Sequence, residues 1–68
     1  MQKLLYVQLG DQITDQIRQG LYKVGERLPS VRELSKREQV SIATVNTAYA
    51  NLEQRGWIEA KPKSGYFV

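Results

Sequence analysis

The side chains most suited to chemistry fall in two short stretches. Ser41-Ile42-Ala43-Thr44-Val45-Asn46-Thr47 combines an amide, three hydroxyls and several small apolar groups without any charge. Asn can pair with adenine through two hydrogen bonds, and Ile42, Ala43 and the methyl of Thr44 or Thr47 can meet a thymine methyl. The hydroxyls of Ser41 and Thr44 suit a phosphate oxygen, as do the N–H groups at a helix start. The second stretch, Lys61-Pro62-Lys63-Ser64-Gly65, sets two cations on a stiff turn, with Gly65 expected to supply a positive φ. Such a tip fits a phosphate backbone or a minor groove.

Both stretches bind rather than catalyse. The chain has no Cys and no His, so the usual zinc ligands and the commonest general base are missing. Nucleophile, base and orienting group cannot be assembled from what remains, and Ser30 and Ser41 are better explained as helix caps. The expectation is a binding domain and not an enzyme, with no metal and no cofactor of its own.

At 68 residues, with 41% hydrophobic and 25% charged residues, the sequence is one small globular domain spanning 1–68. Its first twenty residues contain Gly10, Asp11 and Asp15 and no continuous apolar run. They read as neither a signal peptide nor a membrane span, so the expected location is cytoplasmic and no membrane is implied. The net charge is +3. The cations gather in residues 21–40 (Lys23, Arg27, Arg32, Lys36, Arg37) and again at Lys61 and Lys63. A surplus of this size fits nucleic acid, and it fits plain solubility equally well.

Three helices and a hairpin have to position these groups. Leu5, Leu9, Ile13 and Ile17 recur every fourth residue, predicting an amphipathic core-facing helix over about 3–19, which Gly10 interrupts and Gly20 stops. Residues 21–29 have no helical period and read as a connector with room for a short strand. Ser30 followed by Glu33 is a capping box and opens a helix over about 30–38, with Val31 and Leu34 inward. Ser41 caps a third helix over about 42–55, with Val45, Ala48, Tyr49 and Leu52 on the core face and Gly56 closing it. Trp57-Ile58-Glu59-Ala60 and Gly65-Tyr66-Phe67-Val68 read as the two strands of a hairpin over about 57–68.

The predicted fold is therefore α+β, mainly α: a winged helix-turn-helix of three helices followed by a C-terminal β-hairpin wing. About three residues join the second and third helices, the length of that motif's turn. The face of the third helix opposite its core carries no charge before Glu53, which lets its backbone approach base edges and avoids repelling phosphates. Arg32, near the start of the second helix, is placed to grip a phosphate or reach a guanine. The candidate DNA-binding residues are Arg32, Ser41, Ile42, Ala43, Thr44, Asn46, Thr47, Lys61, Lys63, Ser64 and Gly65, and the expected site leans towards A·T pairs. The competing reading is a protein-interaction module that uses Ile42 and Ala43 as an apolar patch.

The run Gly25-Glu26-Arg27-Leu28-Pro29-Ser30-Val31-Arg32-Glu33-Leu34, then Val40-Ser41, Thr44-Val45, Ala48-Tyr49, Leu52-Glu53 and Gly56, and the ending Ser64-Gly65-Tyr66-Phe67-Val68, resembles the GntR family. The resemblance covers nearly the whole chain. It implies the DNA-reading part of a bacterial transcription regulator, binding pseudo-palindromic double-stranded operators as a homodimer held by a C-terminal effector domain. Family DNA contacts would fall on Arg32, Ser41 to Thr44, Asn46 and the glycine region of the wing. Many members carry Arg where this sequence has Ile42 and Asn46, which implies a different operator. The Ala48-Tyr49 pair and the residues from Ala60 onward are similar to the MocR-like branch, whose effector domain resembles an aminotransferase. On that resemblance, pyridoxal phosphate would belong to a C-terminal domain outside this chain, which reads as the N-terminal part of a longer protein.

Overall fold

The computed structural model describes residues 4–68. Among them the element order is α1 (Leu5–Arg18), α2 (Val31–Glu38), α3 (Ile42–Gln54), β1 (Glu59–Lys61) and β2 (Gly65–Phe67). This is the α+β arrangement of three helices and an antiparallel hairpin expected from the sequence. The helix expected from about residue 3 begins, among the described residues, with Leu4 as its N-cap; Lys3 lies outside them.

α3 is the centre of the molecule, with α1 and α2 both packed on it. Val45, Ala48 and Tyr49 are 0% exposed and Leu52 is 1% exposed, so one face of α3 lies wholly inside. Leu9 and Ile13 from α1, Leu34 from α2, Leu28 from the connector and Ile58 from the approach to the wing close around it. The predicted inner stripe of α1 fails at one end, because Leu5 is 59% exposed. A spacing of four overshoots the 3.6-residue turn by about 40° per step. Over the whole stripe the side chains therefore wind around the helix: Leu9 and Ile13 are buried, Ile17 is partly buried against the core, and Leu5 is turned out.

Local sequence sets the helix ends. Ser30 Oγ accepts the Glu33 N–H at 3.1 Å while the Glu33 carboxylate accepts the Ser30 N–H, the reciprocal capping box. That contact holds the Glu33 carboxyl below the usual carboxylate range, the Ser30 bonds being the main cause. At the end of α3, Gly56 adopts φ 87°. Its N–H donates to Glu53 O and the Trp57 N–H to Leu52 O, the paired bonds that a left-handed residue after a helix allows. α2 ends on a left-handed residue too, but there it is Gln39, with φ 55°.

The hairpin is shorter than predicted. β1 begins at Glu59, and Trp57 and Ile58 precede it, because the bonds closing α3 hold the Trp57 N–H. Register pairs Glu59 with Phe67, Ala60 with Tyr66 and Lys61 with Gly65. The connector adds a third extended segment: Arg27 pairs antiparallel with Phe67, flanked by Leu28 N–H to Tyr66 O and Val68 N–H to Glu26 O. β2 thus lies between the connector and β1. The connector thereby ties the wing to the start of α2.

Candidate nucleic-acid interface

The turn between α2 and α3 is built from three devices. Gln39 reverses the chain through its left-handed φ, the Val40 N–H donates to Ser35 O, and the Ser35 hydroxyl donates to the Val40 carbonyl. Ser41 then caps α3, accepting the Thr44 N–H at 3.0 Å. Only residues 39–41 separate the two helices. α3 is consequently fixed against α2 before any partner arrives.

Ile42, Ala43, Asn46, Thr47 and Ala50 form the outer face of α3, all exposed, with Ile42 at 48%. No acidic side chain occurs on this helix before Glu53. The Asn46 side chain is free of any hydrogen bond to a described residue, so both halves of its amide are available. The hydroxyls beside it are not. Thr47 donates to Ala43 O at 3.0 Å, and the Ser41 and Thr44 hydroxyls share a hydrogen bond at 2.9 Å. Their local bonds hold these rotamers, and Thr44 is only partly exposed. Leu4, Leu5 and Tyr6 flank the same surface, lining with Ala43, Thr44 and Thr47 a shallow groove of about 340 Å³.

Arg32 is the second residue of α2, exposed, and its guanidinium is bonded to no described residue. Lys61, Lys63 and Ser64 are exposed at the wing tip, and Gly65 is partly exposed behind them. The Ser64 N–H donates to Lys61 O at 3.0 Å, closing a turn with Pro62 and Lys63 at its centre. Gly65 has φ 116°, as its position requires, and Lys63 also takes a positive φ, 65°. A left-handed residue after Pro is the mark of a type II turn, which usually places Gly or Asn there. A lysine there costs about 1–2 kcal/mol in steric strain.

The connection from α3 to the wing includes a contact that sequence reasoning missed. The Glu53 carboxylate accepts the Ala60 N–H at 3.1 Å, bracing β1 against the end of the helix. On the inner face Tyr66 packs on Tyr49 with ring centroids 4.6 Å apart. The Tyr49 hydroxyl donates to Pro29 O at 2.7 Å, and burial pushes its phenol well above the usual value. One buried ring therefore links α3, connector and wing.

This is a winged helix-turn-helix: a short-turned helix pair, an uncharged outward face on the second of them, and a cationic hairpin beside it. The chain belongs to the gntR family of bacterial regulatory proteins, whose family model matches residues 5–68. It is 51% identical over 63 residues, 93% of this chain, to the uncharacterized HTH-type transcriptional regulator YjiR of Escherichia coli, of whose length the match covers 13%. YtrA from Sulfolobus acidocaldarius, a GntR-family transcription factor, superimposes with a TM-score of 0.93 at 40% identity, covering 100% of this chain and 71% of that one. The DNA-binding domain of AraR, solved in complex with operator ORR3, gives a TM-score of 0.96 at 26% identity, covering 100% of this chain and 82% of that one. No helix among the described residues is long and apolar enough to cross a membrane. Lys23, Lys36, Lys61 and Lys63 all lie exposed, so the described lysines offer no enclosed site fitting pyridoxal phosphate.

Proposed function

We propose that this chain binds double-stranded operator DNA sequence-specifically, with α3 in the major groove and the wing on the neighbouring minor groove or backbone. The observation that carries the proposal is the outer face of α3: exposed, uncharged, and held by capped ends and a braced turn, with the unpaired guanidinium of Arg32 on the preceding helix. A solvent-facing helix surface ordinarily carries charge. Here the absence of acidic groups admits a polyanion, and Asn46 offers the donor and acceptor that adenine matches.

In this reading Asn46 reads a base, Ile42 and Ala43 meet thymine methyls, and the Ser41 and Thr44 end of α3 faces a phosphate. Because the Ser41, Thr44 and Thr47 hydroxyls are engaged locally, the methyl groups and helix N–H groups carry more of the contact than the hydroxyls do. Arg32, Lys61, Lys63, Ser64 and Gly65 hold the backbone. The remainder of a longer regulator would supply a homodimer and with it a pseudo-palindromic operator. That the AraR DNA-binding domain, of the same fold, is found in complex with its operator supports duplex DNA as the ligand.

Random-sequence selection with the chain presented as a dimer, followed by anisotropy titrations, tests this. Asn46→Ala should relax preference at one base pair by about 1–3 kcal/mol, while Arg32→Ala weakens binding to all duplexes alike. If neither variant changes binding to the best selected site, the interface is elsewhere. Duplex binding no tighter than binding to heparin would favour a protein partner on Ile42 and Ala43.

A further inference from the structure

The structure assigns a DNA-backbone contact to Arg27, a residue of the connector and not of the helix-turn-helix or the hairpin. The inference rests on the wing reading above and extends it to a third chain segment. Arg27 and Phe67 face each other as an antiparallel pair, and the bonds flanking them, Leu28 to Tyr66 and Val68 to Glu26, mark it as the non-hydrogen-bonded kind. Side chains in such pairs lie close together on one face. Register adds Lys61 and Gly65 to that face, two residues along, while Leu28 and Tyr66 turn to the core.

Two cations cross this outer face. Lys61 Nζ stands over the Phe67 ring, 4.9 Å from its centre. Arg27 lies across Gly65: a β-carbon there would meet Arg27 Nε at 3.2 Å and its guanidinium carbon at 3.8 Å. The absence of a side chain at Gly65 thus serves two ends, the positive φ of the turn and a flat seat for the guanidinium beside the wing tip. Arg27 is exposed and its guanidinium makes no hydrogen bond or close ion pair with any described residue, so its donors are unused, although its charge is felt by the Glu33 carboxylate at the start of α2. Glu59 shares the face but stands on the far strand and forms no ion pair with it.

Arg27 and Lys61 therefore flank β2, their backbones two strand spacings or about 10 Å apart and their charged groups both leaning over it. Lys61 rests on a ring and Arg27 on a backbone. Cations placed so on a strand surface suit phosphate oxygens rather than base edges, and they bind without reading sequence. Arg27 would hold the duplex where the wing meets it, adding a contact that scales with charge.

The test is anisotropy of the chain on its selected duplex and on an unrelated one, each across a salt series. Arg27→Gln keeps much of the stem that lies on Gly65 and removes the charge; Arg27→Lys restores a charge. With Arg27→Gln, affinity should fall several-fold on both duplexes, and the slope of log K against log salt should become shallower by about 0.9 per bound chain, one phosphate's worth each. Arg27→Lys should recover the slope, and Asn46→Ala should leave it unchanged. Circular dichroism should give the same melting temperature for all these variants. A wild-type slope retained by Arg27→Gln overturns the contact while leaving α3's role intact. A wild-type chain with no preference between the duplexes overturns the sequence-specific reading itself, and the salt series on the unrelated duplex still decides Arg27.

Discussion

The helical half and the wing are held by different physics. Around α3 the structure relies on burial: Val45, Ala48, Tyr49 and Leu52 have almost no contact with solvent. In the wing each strand has three residues, the tip is wholly exposed, and order comes from single contacts: Glu53 to Ala60, Tyr66 on Tyr49, and the connector's pairing with β2. In the proposed interface, stability and binding are therefore largely separated in space, with Ser41, which also caps α3, belonging to both. The exposed wing-tip side chains contribute little to folding, and one of them, Lys63, sits in a conformation that opposes it.

The largest expected effect is on the helical side. Leu52→Ala removes a side chain 1% exposed at the crossing of α1 and α3 and should cost about 2–5 kcal/mol. A domain of 68 residues has only about 3–10 kcal/mol to lose, so urea unfolding should show a chain near or past its midpoint at low denaturant. Survival of Leu52→Ala with an unchanged midpoint would refute the division.

Tyr49→Phe sharpens the comparison at the junction. It leaves the Pro29 carbonyl without the hydroxyl's bond and should cost about 1–3 kcal/mol by the same measurement. Because the Tyr49 ring also supports Tyr66, NMR shifts of the wing should move along with those of the connector.

Lys63→Gly should separate the two properties. Relief of the positive φ, offset by the greater freedom of glycine in the unfolded chain, raises stability by up to about 1 kcal/mol. DNA affinity should fall as a cation is lost. Lys63→Ala keeps the strain and loses the charge, so it should weaken binding with no gain in melting temperature. Equal binding by all three proteins would remove the wing tip from the interface.

The smallest effect concerns pH. The Glu33 carboxyl titrates lower in the folded chain than in the unfolded one, mainly because of its bonds with Ser30. Its contribution to stability is thus complete above the ordinary carboxylate range and disappears as pH falls through the lowered value. Glu33→Gln should make the acid limb of a stability–pH curve shallower.

Sequence by itself determined the features whose causes lie within a turn or two of the chain. Ser30 and Glu33 satisfy each other across three residues, Ser41 caps the very next turn, Gly56 closes α3, and the spacing of Val45, Ala48, Tyr49 and Leu52 defines a buried face. The uncharged outer face of α3 followed directly from what that pattern left over. Tertiary structure decided what needed distant partners or an uncommon conformation. Arg27 over Gly65, Tyr49 on Pro29 and the pairing of the connector with β2 join segments with no local signal of each other. Gln39 and Lys63 take left-handed φ values usually left to Gly or Asn, which only the surrounding chain can impose. Leu5 bears the same hydrophobicity as Leu9, yet only Leu9 is buried against α3, because a four-residue spacing drifts around a 3.6-residue turn.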